Sequence, residues 1–341
     1  MLEAEPGFEL LLCNAQHVKN LPGRKTDVAD AAWLAQLLEC GLLRGSFVPT
    51  PVMAHLRDLT RYAKKLIQDR ARENQRIQKV LEDAGIKLDS VVSDVLGKAA
   101  RRMIEALIAG ERDPEVLAEM ALTRMRPKIP ELRLALEGGF SAHHGLMLRT
   151  HLDHIDHLTE AIGRLDAQVE AEIAPFSHQL ERLCTIPGIG VRTSRVIVAE
   201  IGVDMSRFPT AEHLASWAGL CPGNHESAGK RRSGKARKGD AALRAALIES
   251  AWAAACTRDT YLAAQFHRFC RRFAKLGEAK AIFVVAHTLL VMVWHVLNDD
   301  VAYVELGYDH FQRRNDNAAH AQRLARQIEK LGYQVSFEPA A

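Results

Sequence analysis

Residues Leu220 to Arg244 read LCPGNHESAGKRRSGKARKGDAALR. Ser227 stands near its middle, so a hydroxyl group lies in a segment that is otherwise rich in small and basic residues. The glycines are dense enough to favour a loop whose backbone approaches something closely, rather than a helix. They are Gly223, Gly229, Gly234 and Gly239.

The same stretch concentrates positive charge directly after Ser227. Lysine and arginine neutralise phosphate and release counterions, and the arginine fork matches phosphate oxygens in a bidentate manner. The loop therefore predicts a polynucleotide partner. The alternative is a solvated surface loop in which the Ser227 hydroxyl bonds to nearby backbone in a turn. The basic residues are Lys230, Arg231, Arg232, Lys235, Arg237 and Lys238.

Length and composition set the class of protein. A chain of 341 residues with 48% hydrophobic residues predicts two or three domains of an ordinary globular protein. The net charge is only +3, so the location of the positive charge is more informative than its sum. The six cysteines include no Cys-x-x-Cys pair, which argues against a disulfide framework and a structural zinc. With no secretory leader visible, we expect a reduced, cytoplasmic protein.

One apolar segment, Ala279 to Leu297, is barely long enough to cross a bilayer. It is interrupted by Lys280, His287 and His295, and polar residues follow it. Runs of this length are usually interior helices in soluble proteins. The sequence predicts a buried core helix and no membrane partner.

The N-terminal segment has a small α/β pattern. The apolar run Phe8 to Cys13 predicts a buried strand, and a helix is predicted from about Asp27 to Cys40 with Thr26 as its cap. Phe47 and Val48 predict a second short strand, joined to the first by a parallel crossover. Because two short strands do not make a stable sheet, this looks like the back half of an α/β domain.

From Val52 the pattern changes to that of a long helix, with apolar residues three and four apart as in a coiled-coil seam. A second long helix, about Ser141 to Ala174, has similar spacing. The two are predicted to form an antiparallel arm, folded back through shorter helices in residues 89–138. Clustered histidines in the second helix suggest either a metal site or a solvated helix face, and the latter is favoured because no closed ligand set is present. They are His143, His144, His151, His154 and His157.

A glycine-rich turn follows the arm. Thr185 to Gly190 reads TIPGIG between two apolar helical stretches, and it resembles the helix-hairpin-helix motif. In that motif glycines allow backbone amides at a helix start to face a DNA phosphate. Gly188, Gly190, Arg192 and Arg195 are therefore the candidate phosphate contacts, and a tight helical turn without a ligand is the alternative.

Three stretches together resemble the transposases of insertion-sequence family 110. They are PGRKTDVADA at Pro22 to Ala31, TIPGIG at Thr185 to Gly190, and WAGLCP at Trp217 to Pro222 continuing through SAGK at Ser227 to Lys230. Their order is that of the family, and the resemblance runs from about Phe8 to near the C-terminus. The combination is specific, although each stretch alone is modest.

This resemblance implies a RuvC-like (RNase H-like) N-terminal domain, a coiled-coil arm and a C-terminal transposase domain with a nucleophilic serine. The family uses four acidic residues, in the order Asp, Glu, Asp, Asp, to hold a divalent metal. Asp27 and Asp30 match the last two acids, and Ser227 matches the nucleophile. The first two acids are expected ahead of Met1, so the chain is expected to lack the N-terminal half of this domain, as a mis-started or truncated gene product would. A structured guide RNA and DNA are the implied partners.

The chemistry of these residues agrees with the implied roles. Asp27 and Asp30 are three residues apart at a helix start, so both carboxylates lie on one face and can share Mg²⁺. The alternative is that the two acids only favour the helix dipole. A Ser227 hydroxyl can attack a DNA phosphodiester by transesterification, with Lys230, Arg231 and Arg232 stabilising the phosphoryl charge.

The predicted fold is mainly α with a small α/β part. It comprises a partial RuvC-like domain in residues 1–51, a helical coiled-coil arm in 52–180, a C-terminal transposase domain with the helix-hairpin-helix and serine loop in 181–300, and a tail in 301–341. The predicted function is that of a transposase, a DNA recombinase acting on element ends and target. Two alternatives remain, a non-catalytic DNA-binding remnant and a dimerising helical scaffold. Chemistry on paired strands predicts a homo-oligomer.

Overall fold

The computed structural model of the chain describes residues 11–13, 15, 18, 30–43, 45–223, 225–227, 229–234, 236, 238–273, 277–313 and 317–336. The protein is mainly helical, with about 70% helix and very little strand in that part of the chain. This confirms the predicted mainly α class.

Backbone contacts divide the chain into two compact units. The first, here called the terminal unit, combines Met1–Ala54 with Phe176–Ala341. The second, called the arm, is His55–Pro175. The described residues up to Ala54 therefore pack with the distant C-terminal part of the chain, although the arm follows them in sequence. The four-part domain division stays a prediction.

The elements are numbered in chain order. The N-terminal helix is α1 (Asp30–Glu39). The arm contains α2 (Pro51–Asp83), α3 (Lys98–Ala109), α4 (Pro114–Ala118), α5 (Ile129–Ala135) and α6 (Ala142–Ile173). The terminal unit continues with α7 (Ser177–Cys184), α8 (Val191–Ile201), α9 (Ala211–Trp217), β1 (His225–Ser227), β2 (Lys230–Ser233), α10 (Ala241–Cys256), α11 (Tyr261–Phe273), α12 (Gly277–Asn298), α13 (His310–Arg313) and α14 (Asn317–Glu329).

The N-terminal strands differ from the prediction. Residues 8–10 lie outside the described part, and Cys13 forms an isolated antiparallel bridge with Gly45. Residues 46–50 have no regular structure, so the predicted second strand at Phe47 and Val48 does not form, and the pairing is not a parallel crossover. Pro49 and Pro51 explain this, because proline cannot donate to a strand ladder.

The two long helices of the arm run antiparallel. Leu66 of α2 clusters with Leu158 and Ile162 of α6, while Ile77, farther along α2, shares a core with the earlier α6 residue Leu148. The contacts thus advance along α2 as they retreat along α6. Helices α3, α4 and α5 complete that core with buried side chains including Met103, Ile104, Leu107, Leu117 and Leu132. Supercoiling of the pair remains a prediction.

Helix α12 is the centre of the terminal unit. By length and composition alone it could cross a membrane. One face of its middle is nevertheless fully buried, with no exposed surface on Val285, Ala286, Leu289, Leu290 or Val293. It packs against α7, α9, α10 and α11. Helices from both sides of the serine loop therefore rest on one common core helix.

Candidate functional site

Ser227 ends a short β-strand. Strands β1 and β2 are antiparallel, with Ser227 paired to Lys230 and Glu226 paired to Arg231. The turn between them includes Gly229, whose φ of 71° is a left-handed value that glycine adopts without steric cost. The irregular loop predicted from the glycine density is thus a hairpin in its described part. The pairing register places Ser227 directly opposite a lysine.

The basic residues lie in β2 of this hairpin and directly after it. His225 pairs with Ser233 while the next residue pairs with Arg231, so Arg232 is an extra residue in β2 and forms a bulge. Bulges twist a strand locally and are common beside functional sites. Lys230 and Lys238 are exposed. Lys235 and Arg237 lie outside the described residues.

The base of the serine loop is closed by a tight backbone contact. A Cβ at Gly239 would lie 2.2 Å from the Ala218 carbonyl carbon and 2.3 Å from the Gly219 nitrogen. Any side chain at position 239 would therefore force the two ends of the loop apart. On the next residue, the Asp240 carboxylate accepts a 2.8 Å bond from the Leu243 amide and caps α10. The loop leaves from α9 and returns at α10 with its ends in contact.

The predicted phosphate-binding turn joins α7 to α8, and its two glycines have different roles. Gly188 has a φ of 87°, and a Cβ there would lie 2.3 Å from the Ser250 carbonyl oxygen of α10. Gly190 is the N-cap of α8, with an extended φ of −100° and nothing near its missing Cβ. Gly188 is therefore required for packing, whereas Gly190 leaves open space at a helix start.

The start of α8 has the features of an anion site. Gly190, the N-cap of α8, has no side chain that could cap the helix. Val191 and Arg192 are exposed, and Arg195, one turn later, is partly buried. Amides at a helix start and a nearby arginine together attract phosphate. Gly190 and Arg192 thus lie together at the start of α8. Gly188 lies on the side of the turn that contacts α10.

The predicted acidic pair is described only in part. Asp27 and its predicted cap Thr26 lie outside the described residues, and Asp30 is the first residue of α1. Among the described residues, no group of three or more His, Cys, Asp or Glu could hold a metal ion. That finding does not extend to Asp27. The pair remains a prediction.

An aromatic cluster anchors the N-terminal segment beside the serine loop. The Phe47 ring lies 5.0 Å from that of Phe208 and 5.5 Å from that of Trp217, measured between centroids. Trp294 of α12 donates a 2.9 Å bond from Nε1 to the Phe208 carbonyl. Because Trp217 ends α9, Phe47 packs where the chain turns into the serine loop. The sequence had suggested a strand at Phe47, so this anchor was missed.

The histidines of the arm contact a buried acid. Glu73 is only 3% exposed, and its two oxygens lie 2.8 Å from His151 Nδ1 and 3.3 Å from His154 Nδ1. Arg76 also pairs with Glu73. His144 instead caps α6 through Ser141 and lies 3.4 Å from Asp83. These contacts join α2 to α6 and account for three of the five clustered histidines without a metal.

Comparison with known families covers both ends of the candidate site. A family model described as "Transposase IS116/IS110/IS902 family" matches residues 180–268, and a model of IS110-type DEDD transposases, described as "Transposase", matches residues 1–86. The chain belongs to the IS110 family of transposases. The first match includes the turn, the serine hairpin and part of α11, and the second includes Asp27 and Asp30.

Individual relatives agree with this family. The chain is 35% identical over 139 residues to a pilin gene-inverting protein of Moraxella bovis, which covers 39% of this chain and 42% of that protein. It is 29% identical over 255 residues to an uncharacterized 43.6 kDa protein of insertion element IS110 from Streptomyces coelicolor, covering 68% of this chain and 61% of the relative. An IS900 protein of Mycobacterium paratuberculosis is 25% identical over 332 residues, or 86% of this chain and 80% of the relative. The match therefore spans less than half the length of the pilin gene-inverting protein.

Helix α1, which begins at Asp30, and the described part of the serine hairpin lie in one compact unit, the terminal unit. Two features essential to that arrangement were not foreseen from sequence. No sequence motif indicated the roles of Gly239 and Phe47, because each role depends on contacts with residues distant in sequence.

Proposed function

We propose that this chain is a DNA transposase, a site-specific recombinase whose nucleophile is Ser227. The observation that carries the proposal is the position of Ser227, at the end of β1 and opposite Lys230, in a hairpin whose loop is closed at its base by Gly239. A serine in a hairpin whose sequence is rich in lysine and arginine is suited to attack on a phosphodiester. The relatives named for inverting a pilin gene support DNA rearrangement as the outcome.

The proposed reaction is two successive transesterifications. The Ser227 Oγ loses its proton and bonds to a DNA phosphorus, while the bond from that phosphorus to one bridging DNA oxygen breaks. That oxygen takes up a proton and leaves as a free hydroxyl. A DNA hydroxyl on another strand then attacks the same phosphorus and releases Ser227. The covalent intermediate conserves the bond energy, so no external energy source is needed.

The basic residues beside Ser227 are assigned to the phosphate. Lys230, Arg231 and Arg232 would neutralise charge that develops on the phosphoryl oxygens. Lys235, Arg237 and Lys238 would hold the flanking DNA backbone through charge without reading its sequence. The bulge at Arg232 separates its backbone from the regular ladder, which suits a residue that must reach a ligand rather than a strand partner.

The acidic pair fits Mg²⁺ in its chemistry. Two carboxylates supply hard oxygen ligands, and Mg²⁺ usually takes its remaining ligands from water and substrate phosphate. Asp27 and Asp30 would hold the ion and so place it where α1 begins. When bound, the metal would act as a Lewis acid that withdraws charge from the phosphate. The two aspartates would orient the ion, and their carboxylates would supply negative charge to the N-terminal segment.

The turn between α7 and α8 is assigned to a second DNA phosphate, as a helix-hairpin-helix. Gly190 leaves the first amides of α8 accessible, and Arg192 and Arg195 follow within the first helical turns. Gly188 supports this turn by its close contact with α10. This site positions the DNA and does not react with it.

The remaining parts of the proposal concern assembly. We assign residues 1–51 to a partial RuvC-like domain, 52–180 to a coiled-coil arm, 181–300 to the transposase domain and 301–341 to a tail. A guide RNA is the proposed second partner, a homo-oligomer the proposed assembly, and the cytoplasm, away from any membrane, the proposed location. The competing function is that of a truncated DNA-binding remnant, which would retain the turn and the basic loop but form no covalent product.

Covalent trapping tests the serine mechanism. The protein is incubated with Mg²⁺, labelled junction DNA of its own element and the flanking non-coding RNA, then denatured and separated by mass. We expect a labelled protein–DNA band that disappears in Ser227→Ala. Ser233→Ala is the matched control, because Ser233 lies in the same hairpin, opposite His225. A band that persists in Ser227→Ala would exclude Ser227 as the nucleophile, and DNA binding with no band in the unmodified chain would support the remnant.

A further inference from the structure

Helix α11 presents a row of basic side chains that the serine mechanism does not use. His267, Arg268, Arg271 and Arg272 are all exposed, and the spacing of four residues aligns them along one face. None of the three arginines forms an ion pair with a carboxylate among the described residues. Arg268 instead lies over the Phe311 ring, 4.8 Å from its centroid. Within the part of the chain that the structure describes, their charge is therefore not neutralised by a paired carboxylate.

Aromatic rings continue this face on both sides. Trp252 of α10 is 43% exposed and meets Phe266 edge-on at 5.9 Å between centroids. Phe266 contacts His267 at 5.4 Å, and His267 lies 6.4 Å from Tyr308, which is 42% exposed. The rings form a continuous row from Trp252 to Tyr308. Phe266 and His267, the two middle rings of this row, lie on α11, the helix that also carries the arginines.

Folding alone explains only part of this arrangement. Arginines in the last turn of a helix are favoured by the helix dipole, which accounts for Arg271 and Arg272. It does not account for a tryptophan and a tyrosine that each leave over two-fifths of their surface in water. Rings of this kind are enriched where a partner binds. Burial raises the pKa of the Cys270 thiol on α11, and the negative charge of Glu278 at the start of α12 raises it further.

Cations combined with exposed rings match one ligand class closely. Proteins that bind single-stranded nucleic acid neutralise its backbone with arginine and lysine and stack its bases on aromatic side chains. A duplex hides the faces of its bases, so it could use the arginines but not the rings. A protein partner would be expected to offer carboxylates and apolar side chains, and it would not need a row of flat rings.

We propose that Trp252, His267, Arg268, Arg271, Arg272 and Tyr308, here called the α11 face, form a binding site for single-stranded nucleic acid. The bases would stack on Trp252 and Tyr308 while the arginines contact phosphates. The inference deepens the proposed function and rests on it, since strand exchange exposes unpaired bases. Single-stranded DNA and RNA share this chemistry, and the test separates them.

The test measures binding of labelled oligo(dT), oligo(U) and a duplex of the same length by fluorescence anisotropy. All proteins carry Ser227→Ala, so the result does not depend on the serine chemistry and can fail separately from it. We expect Trp252→Ala to weaken single-strand binding about 5- to 100-fold, from the usual contribution of one stacked base. Trp252→Phe keeps a ring at this position and should restore binding to within about 3-fold. The oligonucleotide with the larger loss identifies the strand type, and equal losses indicate both.

The arginines are tested by the salt dependence of the same binding. Arg271→Gln/Arg272→Gln should reduce the slope of log affinity against log salt by about 1.4, since each phosphate contact on a single strand contributes about 0.7. The matched control is Arg102→Gln/Arg164→Gln, which removes the same charge from exposed positions of the arm. An equal change in the control, wild-type affinity of Trp252→Ala for both single strands, or an equal loss of duplex binding would overturn the proposal.

Discussion

The arm and the terminal unit differ in the internal contacts that stabilise each of them. In the arm, charged side chains pair with one another: Arg101 reaches both Glu105 and Asp156, and Glu73 contacts His151. In the terminal unit, backbones approach so closely at Gly188, Gly239 and Gly277 that a Cβ would not fit, whereas among the described residues of the arm this occurs only at Gly138. Close backbone packing needs no charged side chains. The terminal unit can therefore leave the arginines of α11 available to a ligand, whereas the arm uses its charges for its own structure.

The two units also differ in their tryptophans, which makes the comparison measurable. All four tryptophans of the chain, Trp33, Trp217, Trp252 and Trp294, lie within the terminal unit. Tryptophan fluorescence therefore reports unfolding of that unit, while far-ultraviolet circular dichroism reports the helices of both. A variant that weakens one unit can be assigned without separating the two. The predictions below use this difference.

The largest expected effect tests close packing in the terminal unit. Gly188→Ala should destabilise it by about 4 kcal/mol, from the cost of a left-handed residue and of overpacking. The new Cβ would lie 2.3 Å from the Ser250 oxygen and 2.8 Å from the Ala254 nitrogen, and backbone atoms cannot give way as a flexible side chain can. Urea unfolding followed by tryptophan fluorescence measures the loss.

Gly190→Ala is the matched control, two residues along the same turn. Its Cβ would meet nothing within 4 Å and its φ is negative, so we expect a change of about 0.5 kcal/mol, typical of the preference at an N-cap. Similar losses in the two variants would contradict the assignment of Gly188 to packing. A loss at Gly190 confined to DNA binding would instead strengthen its proposed role in phosphate contact.

The second prediction breaks the charge network of the arm. His151→Ala/His154→Ala leaves the Glu73 carboxylate buried beside Arg76, and should cost about 3 kcal/mol because bonds to a buried charge are lost. The transition should move in circular dichroism and not in tryptophan fluorescence. Glu73→Leu is the informative contrast, because replacing a buried ion with an apolar side chain is often neutral or stabilising. Equal losses in both variants would mean that packing at this position, and not charge pairing, stabilises the arm.

The third prediction tests whether the N-terminal segment is anchored to the terminal unit. Phe47→Ala removes ring contacts to Phe208 and Trp217 and should cost about 2 kcal/mol, since each aromatic pair contributes about 1 kcal/mol beyond burial. The Trp217 emission should change with it. Phe47→Leu should recover part of the loss, because it restores apolar area but not the ring geometry. An unchanged fluorescence transition in Phe47→Ala would argue that this segment does not support the serine loop.

These residues show how far the sequence predicts the structure. Spacing of apolar residues located both long helices, yet the predicted seam began at Val52, which is 49% exposed, while the adjacent Met53 is buried. A helical seam is set by the partner helix, and a shift of one position leaves the periodicity unchanged. Glu73 lies within the same helix, and the apolar spacing did not reveal that histidines of α6 would contact its carboxylate.

The candidate site was predictable to a similar extent. The glycine and lysine pattern identified the segment around Ser227, but not the hairpin, because two polar strands of three and four residues have no hydrophobic alternation to indicate them. The sequence TIPGIG predicted a turn without distinguishing its glycines. Only the approach of α10 separates Gly188 from Gly190. Contacts between residues distant in sequence determine these features, and local patterns do not contain them.

The smallest expected effect concerns an exposed ion pair in the arm and its pH dependence. Arg101 donates to both Asp156 oxygens, at 2.7 and 2.5 Å, and these bonds hold the pKa of Asp156 below its ordinary value. A lowered native pKa stabilises the fold above the unfolded pKa of about 3.9, and the benefit disappears as pH falls through the native pKa. Asp156 is 49% exposed, so solvent screening limits the loss in Asp156→Asn to about 0.5 kcal/mol at pH 7. The difference from wild type, measured by circular dichroism in urea, should close below about pH 3. A difference that persists unchanged at low pH would show that Asp156 acts through its shape and not its charge, and would weaken the view that paired charges hold the arm together.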